Sequence, residues 1–226
     1  MRAIPQSFLR QPLSAVFANP ANVRVLRELA RHGGELSATT LAQRCTLTKP
    51  SVLASLEHLT KLGYVEPLGT QRQRLYRVDA KHPLTGVISD LFSAEDQRFH
   101  SIVEAVRTAA IDAGATAAWL YGSVARREDR PDSDVDVVLV ASGDVGAAKE
   151  KMSEALRDRE DALRFSASVV ELDADDVVRL AADEDPWWVT MVKDAVSLVG
   201  PEPLSLASRL SAQKTSRRQA KRRGAA

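Results

Sequence analysis

The sequence predicts an α+β protein of two domains: a small N-terminal unit of three helices closed by a β-hairpin, and a C-terminal α/β unit with a mixed sheet, joined by a helical connector. Three observations predict this. Helical periodicity over residues 22–62 gives way to two short β-like stretches. Further on, two apolar strand-like runs flank a Gly-Ser pair and an Asp-x-Asp pair. Between these regions the charge reverses: residues 1–82 hold 12 Lys+Arg against 5 Asp+Glu, residues 83–202 hold 12 against 25, and residues 203–226 hold 7 against none. The expected divisions are 1–82, a connector 83–113, a second domain 114–203 and a basic tail 204–226. At 226 residues the chain suffices for two small domains, and 44% hydrophobic with 27% charged residues excludes a mainly disordered chain.

In the head, Val23, Leu26, Leu29 and Ala30 recur at helical spacing over residues 22–31, and His32-Gly33-Gly34 ends that helix. Ser37 caps a second, short helix through Leu41 and Ala42. Thr48 caps a third, with Pro50 in its first turn, where a missing N–H costs nothing. Val52, Leu53, Leu56, Leu59 and Leu62 form its apolar stripe and Gly63 stops it. Two β-like stretches follow, residues 64–68 and 74–78, around the polar tip Gly69-Thr70-Gln71-Arg72-Gln73.

This order, with the phrase Leu62-Gly63-Tyr64-Val65, resembles a winged helix-turn-helix of the MarR or ArsR type over residues 20–83. The resemblance implies that the third helix enters the DNA major groove with Lys49, Ser51, Ser55, His58 and Lys61 on its polar face, while Arg72 and Arg74 on the wing touch phosphates or the minor groove. A winged helix used only for protein contacts is the alternative. In the connector, Leu84, Val87, Ile88, Leu91 and Phe92 share one helical face; Ser93 then caps a second helix bearing Phe99, Ile102, Val103, Val106 and Ala110. Winged helices that read paired half-sites work as two-fold dimers, so a homodimer is expected.

In the body, residues 116–121 read as a buried strand, Gly122-Ser123 follow at once, and residues 124–128 start a helix. Asp132-Ser133 is a turn. Residues 134–140 form a second strand whose alternation puts Asp134 and Asp136 on one face. Two carboxylates so placed repel each other unless a cation sits between them, and Mg²⁺ takes one or two carboxylates together with phosphate oxygens and water. Gly122 lets the backbone approach a phosphate, and Ser123 adds a hydroxyl at a helix start, where anions are favoured. Together these make a nucleoside triphosphate site.

Gly122-Ser123, ten residues, then Asp134-Val135-Asp136 resembles the DNA polymerase β superfamily, most closely its minimal nucleotidyltransferases. The resemblance implies that Gly122 and Ser123 hold the β- and γ-phosphates and that Asp134 and Asp136 coordinate Mg²⁺ at the α-phosphate. Arg126 or Arg127 would neutralise triphosphate charge, and a nucleoside monophosphate would pass to an acceptor. Family members usually carry a third carboxylate on a later strand. In residues 165–172 that position falls on Ser168, which is neither a base nor a strong metal ligand at neutral pH. Glu171 has the wrong parity, and only a bulge would bring it round.

Beyond that strand, a helix is expected over residues 174–182, a second after Asp185-Pro186-Trp187-Trp188, a short strand over residues 196–199, and a short helix in the basic tail. Trp187 and Trp188 read as core or as a nucleobase stack. No run of about 18 apolar residues exists to span a membrane. Cys45 is the single cysteine and the first ten residues lack an apolar core, so a reducing, cytoplasmic setting is expected. Two functions survive: a Mg²⁺-dependent nucleotidyltransferase coupled to DNA binding, or a DNA-binding transcriptional regulator whose degenerate catalytic domain senses a nucleotide; the resemblance to minimal nucleotidyltransferases implies a toxin–antitoxin module as one context.

Overall fold

The computed structural model describes residues 7–70 and 73–223. Its contacts divide it between Gln97 and Arg98 into two units. Among the described residues, no helix is long and apolar enough to cross a membrane.

The first unit begins with α1 (Leu13–Phe17), a short helix additional to those predicted, and α2 (Pro20–His32). Asn19 caps α2, its side chain accepting from the Ala21 N–H at 2.9 Å, and Gly33 leaves the helix at φ 67°. β1 (Leu36–Ser37) leads into α3 (Ala38–Arg44), capped by Ser37, and α4 (Lys49–Lys61) is capped by Thr48. The wing is β2 (Val65–Gly69) and β3 (Arg74–Val78), paired antiparallel from Val65↔Val78 to Gly69↔Arg74. β1 joins it through Leu36↔Tyr76, making a three-stranded sheet of order β1-β3-β2.

The buried stripe of α2 (Val25, Leu26, Leu29), Leu41, the inner face of α4 (Val52, Leu56, Leu59), and Tyr64 form one core. Ile88 and Phe92, from the start of α5 (Thr85–Asp112), complete it. Arg27 on α2 pins that part of α5 with two bonds to Glu95, at 2.6 and 2.9 Å, and its guanidinium lies 5.2 Å from the Phe92 ring centroid. Instead of the two connector helices expected, α5 is continuous. Ser93 does not cap; its hydroxyl donates to the Ser89 carbonyl one turn back.

The second unit is built on a four-stranded sheet of order β6-β5-β4-β7, comprising β4 (Ala115–Tyr121), β5 (Val135–Ala141), β6 (Ala167–Leu172) and β7 (Val196–Val199). β5 runs antiparallel to β4 and parallel to β6, so the sheet is mixed as expected. The short helix α6 (Gly122–Arg126) joins β4 to β5. A parallel pair needs a crossover, supplied by α7 (Val145–Leu163), an element additional to those predicted. After β6 come α8 (Ala174–Ala182), α9 (Pro186–Asp194) and, beyond β7, α10 (Pro203–Arg223). α10 is a 21-residue helix rather than the short one expected.

β5 is an apolar run because both faces of the sheet are covered. On one face Val137, Leu139, Ala118 and Leu120 pack with Ile102 and Val106 of α5 and Met152 and Leu156 of α7. On the other, Trp119, Val138, Val140 and Leu172 pack with Val177 of α8, Trp188 and Met191 of α9, and Leu206 of α10.

Candidate functional site

The end of β4 and the start of β5 meet at the motif residues. Tyr121 is the register partner of Asp136, and Gly122 turns the chain from β4 into α6 at φ 76°. A Cβ on Gly122 would lie 2.4 Å from Asp136 Oδ2, so the absence of a side chain is what lets the backbone pass over this carboxylate. Ser123 follows in the first turn of α6. Asp134 is exposed and stands immediately before β5, whereas Asp136 is half-buried within it.

Burial, then the neighbouring Asp134 carboxylate, push the Asp136 carboxyl above the ordinary carboxylate range; Arg126 opposes them. Arg126 itself is engaged, bonding Glu128 at 2.9 Å and pairing with Asp194 of α9. Among the described residues no cluster of three or more His, Cys, Asp or Glu side chains is positioned to hold a metal. Asp134 and Asp136 are the two acidic side chains that the motif brings to this edge of the sheet, and they could hold a cation as a pair. Such a pair suits Mg²⁺, which draws its remaining ligands from phosphate and water, better than a cation enclosed wholly by protein.

The expected place of a third carboxylate is next to Asp136. The parallel register pairs Asp136 with Ser168 and continues without a shift to Val140↔Leu172. No bulge rotates Glu171, which pairs in register with Leu139 and is held by Lys149 of α7 at 2.7 Å. That hydrogen bond pulls the Glu171 carboxyl below its usual range. Glu171 thus lies on the face opposite Ser168, as its parity in the sequence indicates.

Trp188 is core, 2% exposed and edge-on to Trp119. Trp187 is half-buried and stands edge-on to Tyr121, with ring centroids 5.9 Å apart. A cleft of about 670 Å³ opens at Asp134 and is lined also by Phe99, Arg130, Asp132, Asp161 and Arg164. Arg98, on its rim, donates to the Leu163 and Arg164 carbonyls that end α7, at 2.9 and 2.7 Å.

In the first unit, the residues expected to face DNA divide. Lys49 and Lys61 are exposed, the latter paired with Glu57 at 2.7 Å, and Arg74 is exposed at the start of β3. Ser51 is half-buried, and His58 Nε2 lies 3.2 Å from the Ala15 carbonyl. Ser55 is 2% exposed, so it faces the core and not solvent. The reason is helical spacing: position 55 lies three after Val52 and four before Leu59, on the buried stripe. The solvent arc of α4 carries instead Leu53, Ala54 and Glu57, which the polar-face reading missed and the same wheel would have found. Arg72 lies outside the described residues.

Comparison with known proteins agrees with this division. Residues 19–74 match the profile of the MarR family, and residues 107–183 that of the polymerase beta nucleotidyltransferases. No curated protein matches the chain. Among solved structures, the transcriptional repressor BigR from Xylella fastidiosa is 20% identical, with 38% of this chain and 84% of that chain covered and a TM-score of 0.32. TubR from Bacillus thuringiensis serovar israelensis, bound to 24 bp of tubC, is 19% identical over 41% and 99%, at 0.32. A toxin–antitoxin structure with AMP-PNP is 18% identical over 55% and 92%, at 0.34. Residues 19–74 thus match a MarR-type winged helix-turn-helix domain and residues 107–183 a nucleotidyltransferase domain of the polymerase β type.

Proposed function

We propose that the second unit is a Mg²⁺-dependent nucleotidyltransferase, moving a nucleoside monophosphate from a nucleoside triphosphate to a hydroxyl of a protein, RNA or small-molecule acceptor, and that the first unit binds DNA as part of a homodimer. The observation that carries the enzymatic reading is the passage of the Gly122 backbone over the Asp136 carboxylate, with Asp134 two residues away. A phosphate chain lying along Gly122 and Ser123 would have its α-phosphate beside both acids. Asp134 and Asp136 would hold the cation, which when bound there supplies neutralisation of charge for in-line displacement. The acceptor hydroxyl oxygen forms a bond to the α-phosphorus and gives up its proton to solvent, as the bond from the α-phosphorus to the bridging oxygen of the β-phosphate breaks and pyrophosphate leaves. Arg126 would meet triphosphate charge by exchanging its Asp194 and Glu128 partners.

Ser168 favours a second reading. It occupies the register position beside Asp136, so the protein supplies no base there, and loss of a catalytic base costs on the order of 10²–10⁴-fold in rate. On that reading the site binds nucleotide without turnover and the protein is a nucleotide-sensing transcriptional regulator. The two are separated by incubating the protein with each α-³²P-labelled ribonucleoside triphosphate, Mg²⁺ and cell lysate, beside the Asp134→Asn/Asp136→Asn variant. Label on a protein or RNA band, absent with the variant, supports the enzyme. Nucleotide binding without label supports the sensor, and neither result defeats both.

A further inference from the structure

The solvent arc of α4 has a composition that a merely phosphate-binding helix would not need. Cations stand at its margins: Lys49 in the first turn and Lys61 in the last, with Arg74 of β3 across a cleft of about 770 Å³ that Lys49, Leu53 and Arg74 line together. Between the two lysines, beyond Pro50 in the first turn, the exposed positions are Leu53, Ala54, Glu57 and His58, the last turned against the Ala15 carbonyl, which leaves an apolar and acidic centre. Leu53 is 43% exposed, Ala54 is exposed beside it, and the Glu57 side chain is 68% exposed, tethered by Lys61. Residues 1–82 carry 12 Lys+Arg against 5 Asp+Glu, so a polyanion is the complementary partner of this unit.

Lys61 donates to Glu57 Oε1 only, at 2.7 Å, and a carboxylate turned toward a polyanion binds best where its second oxygen also meets a donor. In the major groove the donors on base edges are the amino groups of cytosine and adenine, and the carboxylate pairing that geometry favours is with cytosine N4. An exposed leucine flanked by alanine finds its apolar counterpart there in the thymine methyl. Cations at the margins and an apolar–acidic centre match the division of a duplex into phosphates outside and base edges within. Resting on the DNA-binding reading above, we propose that α4 reads sequence through this centre: Leu53 and Ala54 against a thymine methyl, and Glu57 accepting from a cytosine amino group.

The test uses the full-length protein and a library of randomised duplexes, followed by synthetic duplexes of the selected sequence in which each thymine in turn is replaced by deoxyuridine. At one thymine per half-site the missing methyl should weaken wild-type binding about fourfold, the worth of one buried methyl group. Leu53→Ala should bind the thymine and uracil duplexes alike. Glu57→Gln should lose about tenfold of the preference for cytosine at a nearby position. Both changes are on the surface, and unchanged circular dichroism would establish that the variants fold. A uracil penalty that persists in Leu53→Ala, or a selected motif that Glu57→Gln leaves intact, overturns the assignment while DNA binding stands. Failure of folded wild-type protein to enrich any duplex overturns the DNA-binding reading and the assignment with it.

Discussion

Substituting Gly122 by Ala separates backbone strain from interference with the candidate metal site, because the fold supplies its own control. Gly122 and Gly114 both sit at positive φ, 76° and 82°, so an alanine at either position pays the left-handed penalty of about 1–2 kcal/mol. They differ in what the added methyl meets. At Gly114 nothing lies within 4 Å, whereas at Gly122 the Cβ falls 2.4 Å from Asp136 Oδ2. The struck atom is the end of a side chain, so the carboxylate can turn aside at modest cost in stability. It cannot do so and remain where a cation shared with Asp134 requires it. Thermal unfolding of both variants should therefore show similar losses, about 1–2 kcal/mol each. Calorimetric titration with nucleoside triphosphate and Mg²⁺ should separate them: Gly114→Ala binds as wild type, and Gly122→Ala binds at least tenfold more weakly. Wild-type binding by Gly122→Ala, in a protein showing the expected strain, would refute the role given to this close approach.

Further outcomes follow from the same geometry. Asp136 has its folded pKa raised, so the folded state is penalised above that pKa and relieved as pH falls through it toward the unfolded value. Asp136→Asn should accordingly raise the unfolding temperature of the metal-free protein at pH 8, with the advantage shrinking on acidification; a lowered temperature at pH 8 would contradict this. Glu171 has the opposite sign: its carboxyl is lowered by Lys149, so the pair's contribution is present above the unfolded carboxylate pKa and lost as pH falls through the folded one. Lys149→Met should cost less than about 1 kcal/mol at neutral pH, since the pair is partly exposed, and nothing in acid, as read by denaturant titration across pH. Ser168→Asp places a carboxylate beside Asp136 and should raise any Mg²⁺-dependent transfer by about 10²-fold or more; an unchanged rate would mean that the missing acid is not what limits turnover. Tyr64 is fully buried and its hydroxyl has no partner among the described residues, so Tyr64→Phe should be neutral or stabilising by up to about 1 kcal/mol in thermal unfolding.

The elements most legible in the sequence were those with both a cap and a period. Ser37, Thr48 and Asp173 each mark a helix start by a side chain that accepts a backbone N–H, and α8 begins directly after Asp173. The placement of Ser168 beside Asp136 was readable because an apolar pattern of period two fixes which residues share a face. Other features escaped, α7 and the full length of α10 among them. α1 and β1 are too short to carry a period, and β1 exists only because Leu36 and Ser37 find Tyr76 and Leu75 on the wing. The break expected at Ser93 is absent because serine serves equally as a cap and as a mid-helix residue bonded back to the preceding turn. The face of α4 was assigned by residue polarity and not by angle, which put Ser55 on the wrong side.

The residues proposed for the site were legible in the sequence, but not the contacts around them. Gly122, Ser123, Asp134 and Asp136 stand out by type and spacing, and the phosphate and cation chemistry drawn from them is the reading proposed above. That Arg126 is already shared between Glu128 and Asp194 is a tertiary fact, because Asp194 is 68 residues away in the chain. The same holds for Trp187, whose edge contact with Tyr121 places an aromatic wall beside the register partner of Asp136.

On the function proposed, Gly122, Ser123, Asp134 and Asp136 form one metal-dependent nucleotide site. Titration calorimetry of each nucleoside triphosphate into the folded protein, in Mg²⁺ and again in chelator, tests it without knowledge of the acceptor. Binding is expected in Mg²⁺, and it should disappear in chelator and in Asp134→Asn/Asp136→Asn. Absence of binding by any nucleotide to the wild type, or equal binding by the folded double variant, would contradict it.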